Sequence, residues 1–324
     1  MEIKLYHDGD FPIAIKVEEK KRETLPRPKK EPEKAIVIVE PAEVKNDSAE
    51  GENDVTEPKE SVTRVTTLSA EFERWFRESG DIKKWKSRYR FIAEKMAGLF
   101  ESKKELREFL NKKMNDAYRA MAVRRTKWHR RAYLHQLDTF CTFTYDSAKM
   151  DEEKFKKKLL NTLRHFASRR GWKYMGTWER GGKNGRLHFH ALIRVPEGEM
   201  VGEVVNVTDY DPIREKLISI HSNTFFMETF GRNTFEKIPC NSPLFAASVQ
   251  YILKYLEKGG GRMTASRGLK TFVKLEVSEE DIITPLHDYD DRKYIMFQDF
   301  NVYINGECLG QYNVDMLDKL ELTD

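Results

Sequence analysis

The sequence predicts an α+β protein built on a largely antiparallel sheet, and three consecutive segments carry this prediction. Residues 139–146 (TFCTFTYD) alternate threonine with aromatic residues, which is typical of a strand. Residues 150–171 place apolar side chains at helical spacing and end at Gly171. WKYMGTWER and RLHFHALIRV then predict two strands joined by a glycine-rich turn at 181–185. The order strand, helix, strand, hairpin, strand is that of an α+β fold.

Composition divides the rest of the chain into regions. The 324 residues are 39% hydrophobic and 34% charged, with a net charge of +4. Residues 1–66 predict a largely disordered tail, because from about residue 17 they are rich in Glu, Lys, Pro and Ser; the apolar run AIVIVE interrupts it as a possible strand or docking peptide. Residues 67–136 predict a basic helical region, and residues 279–324 a β-rich C-terminal segment.

Three further elements are predicted after the hairpin. DPIREKLISIHSNTFFMETFG, residues 211–231, is interpreted as a helix with Pro212 in its first turn. NTFEKIPC is interpreted as a strand, and PLFAASVQYILKYLEKGGG as a helix ended by glycines.

Cysteine usage and hydropathy predict a cytoplasmic protein. Cys141, Cys240 and Cys308 are far apart and form no CxxC pair, which argues against a zinc finger or a disulfide framework. No apolar run approaches the roughly 20 residues that span a bilayer. We therefore expect no membrane association.

A basic segment closes the helical region. Cations there alternate with Tyr118, Trp128 and Tyr133, so the segment is either a solvated helix face or a surface that follows nucleic-acid phosphates. The candidate DNA-binding residues of this segment are Arg124, Arg125, Lys127, Arg130 and Arg131.

The sequence His188-Phe189-His190 lies inside an otherwise apolar strand pattern. Side chains alternate faces along a strand, so the two imidazoles share one face and are placed to bind one metal ion. Glu179 precedes the turn and falls opposite His188 if the turn centres near residues 183 and 184. Two imidazoles and a carboxylate suit Mn²⁺, Mg²⁺ or a similar divalent ion, whereas the alternative is a pair of structural histidines and a solvated carboxylate.

The helix YILKYLEK presents a second set of polar groups. Tyr251 and Tyr255 are four residues apart on one helical face, as are Lys254 and Lys258. The plain alternative is an amphipathic helix with half-buried tyrosines. A phenol is a poor nucleophile at neutral pH and needs a metal or a lysine to attack a phosphodiester. Such an attack exchanges one phosphate ester for another, which suits strand transfer.

These motifs resemble the HUH endonuclease superfamily, in which His-x-His precedes a tyrosine helix. The order and the Tyr-x-x-Lys-Tyr-x-x-Lys pattern are similar to those of two-tyrosine rolling-circle replication initiators of small single-stranded DNA phages and plasmids. TFCTFTYD resembles the first motif of that family, and the resemblance covers about residues 139–275. It implies an endonuclease domain over residues 137–278, with a central, mostly antiparallel sheet of about five strands flanked by helices.

The resemblance also implies a function. Such enzymes nick single-stranded or melted origin DNA, stay linked to the 5′-phosphate through tyrosine, and rejoin the ends after a round of synthesis. His188, His190 and Glu179 would hold Mn²⁺ or Mg²⁺, and Tyr255 and Tyr251 would be alternating nucleophiles. Lys254 and Lys258 would stabilise the phosphate.

Partners follow from the same resemblance. Because no phosphate-binding loop follows the tyrosine helix, a helicase and a DNA polymerase of a prokaryotic host are expected as partners. The loop GGGRMTASRGLKTF adds three candidate DNA contacts, although an ordinary exposed loop is the alternative: Arg262, Arg267 and Lys270. The rival functions are a two-tyrosine HUH transposase and a non-catalytic DNA-binding protein of the same fold. The oligomeric state is not predicted.

Overall fold

The structure is a computed structural model of the chain. It describes residues 1–7, 12–17, 33, 35–40, 62–181, 185–211, 215–240, 242–257, 263–287, 290–297, 299–313 and 316. The chain forms two compact units, one comprising residues 1–20 and 120–324 and the other residues 21–119.

Strands and helices follow one another in an α+β order. The first part of the chain contains β1 (Glu2–His7), β2 (Pro12–Lys16), β3 (Ala35–Glu40), β4 (Val62–Thr67), α1 (Leu68–Glu78), α2 (Trp85–Met96) and α3 (Lys103–Leu134). The middle contains β5 (Thr139–Thr144), α4 (Glu152–Arg170), β6 (Lys173–Arg180), β7 (Leu187–Arg194), β8 (Val204–Asp211), β9 (Lys216–Asn223), α5 (Thr224–Thr229), β10 (Asn233–Lys237) and α6 (Pro243–Glu257). The last part contains β11 (Thr264–Ala265), β12 (Val273–Glu276), β13 (Ile282–His287), β14 (Asp290–Met296), β15 (Asn301–Ile304) and β16 (Glu307–Gln311).

The histidine strand β7 lies at the centre of a five-stranded antiparallel sheet with the order β10-β5-β7-β6-β11. In its pairing with β5, Thr142 lies opposite His190 and Thr144 opposite His188. In its pairing with β6, Glu179 lies opposite His188. The strands β5, β6 and β7 and the hairpin between the last two are therefore where the sequence predicted them.

The two faces of this sheet have different partners. One face carries Phe143, Phe189 and other apolar side chains, which pack against α4 and α5 in a core rich in aromatic residues. The opposite face carries Met175 and Leu192, which pack against α6 and the end of α3. His188 and His190 alternate with Phe189, so they lie on the α6 face.

Helix α4 has clear signals at both ends. The Asp151 carboxylate accepts a hydrogen bond of 2.7 Å from the backbone N–H of Lys154, which satisfies one free donor of the first turn. Gly171 has a left-handed conformation (φ +68°) and ends the helix, as the sequence predicted. The buried stripe of α4 is Phe155, Leu159, Leu163 and Phe166.

A second sheet makes the strand count differ from the expected single sheet of about five strands. It is antiparallel, with the order β13-β14-β2-β1-β12-β15-β16. Strand β1 pairs with β12, so Glu2 lies opposite Glu276, and Ile3 and Leu5 are buried. The first sixteen residues thus supply two strands to a sheet formed mainly by the C-terminal segment. Much of the remaining predicted tail, including residues 18–32 and 41–61, lies outside the described residues.

The helix expected over residues 211–231 is wrong for most of that range. Residues 204–211 and 216–223 form the antiparallel hairpin β8–β9, and only residues 224–229 are helical. The run KLISIHSN places Ile218 and Ile220 two residues apart, which is strand periodicity. Pro212 belongs to the short segment between the two strands and lies outside the described residues.

The other unit contains the hairpin β3–β4, α1, α2 and the first part of α3. Its core consists of Phe72, Ile92, Met96, Leu110 and Met114. The buried Arg88 guanidinium lies 3.7 Å from the centre of the Phe76 ring and donates a hydrogen bond to the Ser79 hydroxyl. In the part of the chain that the structure describes, no helix has the length and apolar character needed to cross a bilayer.

Candidate active site

His188 and His190 are oriented by threonine hydroxyls on the neighbouring strand. The Thr144 hydroxyl lies 2.7 Å from Nδ1 of His188, and the Thr142 hydroxyl lies 3.0 Å from Nδ1 of His190. The two ring centres are 6.2 Å apart. Because each Nδ1 has a partner on β5, each Nε2 is the nitrogen left to act in the site, an arrangement that fixes ring orientation in metal-binding histidines.

Glu179 connects the histidines to the tyrosine helix. Its Oε2 atom lies 2.9 Å from Nε2 of His190 and accepts a hydrogen bond of 2.8 Å from the Tyr251 hydroxyl. The register places Glu179 opposite His188, yet its carboxylate reaches diagonally to His190. A phenol, a carboxylate and an imidazole thus form one connected chain of polar groups.

The ring of Tyr251 is held on two sides. Its centre lies 5.3 Å from that of His190 and 5.9 Å from that of Phe140, with the ring nearly perpendicular to both. Helix α6 brings Tyr251 there because Phe245, Val249 and Ile252 bury its apolar face. Only the polar end of the phenol therefore remains to act in the site.

Burial keeps both imidazoles neutral at neutral pH. Desolvation lowers the pKa of His190 to about 4, and the nearby Glu179 carboxylate only partly opposes this effect. Burial also lowers the pKa of His188. The contact between His190 and Glu179 is therefore a hydrogen bond to a neutral ring at neutral pH, and the lone pairs of the imidazoles are not lost to protonation.

The donor types at this site fit a divalent cation. Two neutral imidazoles and a carboxylate suit Mn²⁺ or Mg²⁺, and the threonines that orient the imidazoles are in place. In their present positions, however, the described residues contain no group of three or more His, Cys, Asp or Glu side chains arranged to hold a metal ion. The Glu179 oxygen nearest the histidines instead contacts Nε2 of His190.

These groups line an open cavity of about 340 Å³. Five of its lining residues were not singled out in the sequence: Thr142, Thr144, Arg232, Asn233 and Thr234. The threonines could have been found from the alternation in TFCTFT, once that strand is paired with the histidine strand. Arg232 and Asn233 come from the start of β10, and no local motif marks them.

Arg232 brings a positive charge to the rim of the cavity. Its guanidinium forms an ion pair with Asp209 of β8, and about half of its side chain is exposed. The preceding Gly231 has φ +129°, and a β-carbon there would lie 2.8 Å from the backbone nitrogen of Asp146. The backbone therefore needs glycine at this point to bring Arg232 to the cavity.

The hairpin turn approaches the histidines closely. A β-carbon on Gly181 would lie 3.0 Å from Nε2 of His188, so any larger residue there would press on the imidazole. Gly182, Lys183 and Asn184 lie outside the described residues.

The structure brings together only part of the predicted catalytic set. Lys254 is exposed, and its ammonium group lies 5.4 Å from the centre of the Tyr251 ring. Tyr255 belongs to α6, but its side chain lies outside the described residues, as do Lys258 and Arg262.

The predicted DNA-binding residues that the structure describes lie away from the cavity lining. Arg124, Arg125, Lys127 and Arg267 are exposed, and Arg125 donates a hydrogen bond to Gln250 of α6. The Arg130 guanidinium lies 4.2 Å from the centre of the Tyr6 ring.

Two of the predicted DNA-binding residues support the loop after β11. The Arg131 guanidinium lies 4.3 Å from the centre of the Trp128 ring and donates a hydrogen bond of 3.1 Å to the carbonyl of Leu269. The backbone N–H of Lys270 donates to Nε2 of His135. Arg131 thus has structural contacts of its own.

Residues 138–260 match the model of a replication-associated protein family, the ORF2 type. The matched segment contains β5, Glu179, the histidine pair and Tyr251, and it covers a little more than a third of the chain. The searches of curated proteins and of solved structures found no match. The similarity supports a role in replication and is consistent with a Rep-type replication protein.

Proposed function

We propose that this protein initiates DNA replication by nicking single-stranded origin DNA and later rejoining it through a tyrosine-linked intermediate. The observation that carries the proposal is the chain of contacts from the Tyr251 hydroxyl through Glu179 to His190, inside a polar cavity. It is supported by the position of this cavity within the segment that is similar to replication-associated proteins.

The proposed chemical step is an exchange of phosphate esters. The Tyr251 oxygen attacks the phosphorus, the bond between phosphorus and the 3′-oxygen breaks, and the protein stays linked to the 5′-phosphate. The phenol proton passes to the Glu179 carboxylate, whose Oε2 already accepts the hydrogen bond from that hydroxyl. The departing 3′-oxygen takes a proton from water. Because one ester replaces another, the reverse reaction reseals the strand.

The histidines are proposed to serve this step as ligands. His188 and His190, with Glu179, would hold Mn²⁺ or Mg²⁺, which polarises a phosphate oxygen as a Lewis acid when bound. The threonine hydroxyls on β5 keep both rings in place, and burial keeps them neutral. Arg232 adds a fixed positive charge for the phosphate.

A second tyrosine would allow a second transfer without release of the first strand. Tyr255 lies one helical turn after Tyr251 on α6 and is proposed as that second nucleophile. Lys254 and Lys258 would neutralise phosphate charge beside them. A host helicase and polymerase are proposed as partners in the cytoplasm of a prokaryotic cell, with single-stranded origin DNA as the substrate.

The test is the formation of a covalent protein–DNA adduct. The full chain is incubated with Mn²⁺ and end-labelled, random-sequence single-stranded DNA, and denaturing gels report the adduct. We expect an adduct for the native protein that is lost in the Tyr251→Phe/Tyr255→Phe double variant. The matched control is Tyr210→Phe, because Tyr210 is exposed on β8 and does not line the cavity.

The single variants assign the roles of the tyrosines. Loss of the adduct in Tyr251→Phe alone would make Tyr251 the initiating nucleophile. DNA binding without any adduct in the native protein would refute the proposal and favour a non-catalytic DNA-binding protein. An adduct formed only on transposon-like ends would instead favour the transposase.

A further inference from the structure

A basic groove lies on the face of the five-stranded sheet opposite the histidines. It runs along α4 beside α5 and encloses about 630 Å³. Helix α4 packs on the face that carries Phe189, whereas the candidate active site lies on the α6 face. The groove is therefore separate from the cavity that contains Tyr251. It is lined by Lys154, Lys157, Lys158, Asn161, Thr162, His165, Phe166 and Phe225.

The groove follows a stripe along the helix rather than a chance cluster. Lys154, Lys158, Asn161 and His165 recur at spacings of three, four or seven residues, so they share one helical face. This stripe lies beside the buried stripe that begins at Phe155. The core therefore does not require these cations.

The lysines of the groove are not used in ion pairs with the described part of the chain. No described carboxylate lies within 4.0 Å of the ammonium groups of Lys154, Lys157 or Lys158, whereas Lys156 on the same helix pairs with both Glu152 and Glu153. No lining residue is acidic. The groove thus concentrates positive charge, and a counter-charge is best supplied by a ligand.

One wall of the groove is aromatic. Phe225 is partly exposed, and its ring centre lies 5.5 Å from that of Phe166, which anchors it against the core. A fixed ring beside cations matches the needs of single-stranded nucleic acid, whose phosphates seek positive charge and whose bases stack on aromatic side chains. An acidic peptide would use the lysines but would gain less from the ring.

We propose that this groove binds single-stranded DNA at a second site, away from the scissile phosphate. From Lys154 to His165 the helix rises about 16 Å, which corresponds to roughly five stacked nucleotides at about 3.4 Å each. The choice of nucleic acid as the occupant rests on the proposed function. The charge, spacing and aromatic wall of the groove are observations independent of it.

The test is the salt dependence of binding in the presence of a chelator, so that no nicking interferes. Fluorescence anisotropy measures the affinity of the full chain for a labelled oligothymidine of about 20 nucleotides at several salt concentrations. Each phosphate contact contributes roughly 0.7 to the slope of log K against log salt for single strands. We expect Lys154→Gln/Lys157→Gln/Lys158→Gln to lower the slope by about two. The charge-matched control is Lys83→Gln/Lys84→Gln/Lys86→Gln, whose lysines are exposed in the other unit, and it should leave the slope unchanged.

A second measurement locates the DNA. Bromodeoxyuridine-substituted oligonucleotide is cross-linked by light, and we expect the linked peptide to contain Phe225, with the yield reduced in Phe225→Leu. An unchanged slope in the lysine variant would overturn the proposal. So would a loss of poly-glutamate binding with no loss of DNA binding, because that result assigns the groove to an acidic partner. The adduct assay reports the proposed function separately, so failure of either proposal is recognised without the other.

Discussion

The Thr144 hydroxyl lies 2.7 Å from Nδ1 of His188, across two paired strands. This contact fixes the ring so that Nε2 is the nitrogen left for a ligand. We expect Thr144→Val to lower Mn²⁺ affinity about 10- to 100-fold, as loss of a hydrogen-bond partner that orients a metal-binding histidine typically does. Calorimetric titration of the native protein and the variant measures the change.

The control for this change is Thr234→Val. Thr234 lines the same cavity, but its hydroxyl accepts from the backbone N–H of Thr142 and does not contact either imidazole. Equal Mn²⁺ affinity in Thr144→Val and the native protein would show that the hydroxyl does not orient a ligand.

Glu179 can be separated into its binding and proton-accepting roles. In Glu179→Gln the amide oxygen can still accept the hydrogen bond from Tyr251, but it cannot take up the phenol proton. We expect the single-turnover rate of adduct formation to fall about 100- to 10,000-fold, with little change in DNA affinity measured in a chelator. The matched variant Glu236→Gln alters a carboxylate that contacts the exposed His221 and should keep the native rate. A native rate in Glu179→Gln would exclude this carboxylate as the base.

Arg232 offers a test of phosphate recognition at the cavity. We expect Arg232→Gln to slow adduct formation about 100-fold or more, because a fixed donor to the reacting phosphate is removed. Arg170→Gln is the control, since Arg170 also pairs with a carboxylate, Glu199, but lies at the end of α4. Asp209→Asn separates loss of the ion pair from loss of the guanidinium, and a rate as low as that of Arg232→Gln would mean that positioning dominates.

Gly176 lies beneath the histidine strand and has no room for a side chain. A β-carbon there would lie 2.5 Å from Cζ of Phe189 and 2.6 Å from the carbonyl oxygen of His190. We expect Gly176→Ala to lower the free energy of unfolding by about 1–3 kcal/mol, because the aromatic core must shift. Urea denaturation measures this loss, and Gly98→Ala serves as control because nothing lies within 4 Å of that position. Equal midpoints for both variants would mean that the core relaxes freely.

The α+β class and the hairpin geometry could be predicted from short-range patterns. Alternation along RLHFHALIRV places His188 and His190 on one face, and the turn length places Glu179 opposite His188, as the structure shows. Both features depend on neighbours close in the sequence. The end of α4 at Gly171 is equally local.

Long-range pairing could not be predicted in the same way. Strand β1 pairs with β12 from the far end of the chain, and nothing in EIKLYH specifies that partner. The apolar residues of KLISIHSN fit either a helix or a strand over so short a run, and pairing with β8 decides the outcome. Arg232 reaches the cavity from a strand that follows this hairpin, so its role depends on sheet order.

The register between β5 and β7 makes the length of β5 as constrained as its composition. Thr142 and Thr144 face the histidines, while Cys141 and Phe143 face the aromatic core. Deleting one residue within this strand would exchange the two sets, turning a thiol and a benzene ring toward the imidazoles and hydroxyls into the core. Viable variants of this protein should therefore accumulate substitutions in β5 far more readily than insertions or deletions, and length changes should be confined to the loops on either side.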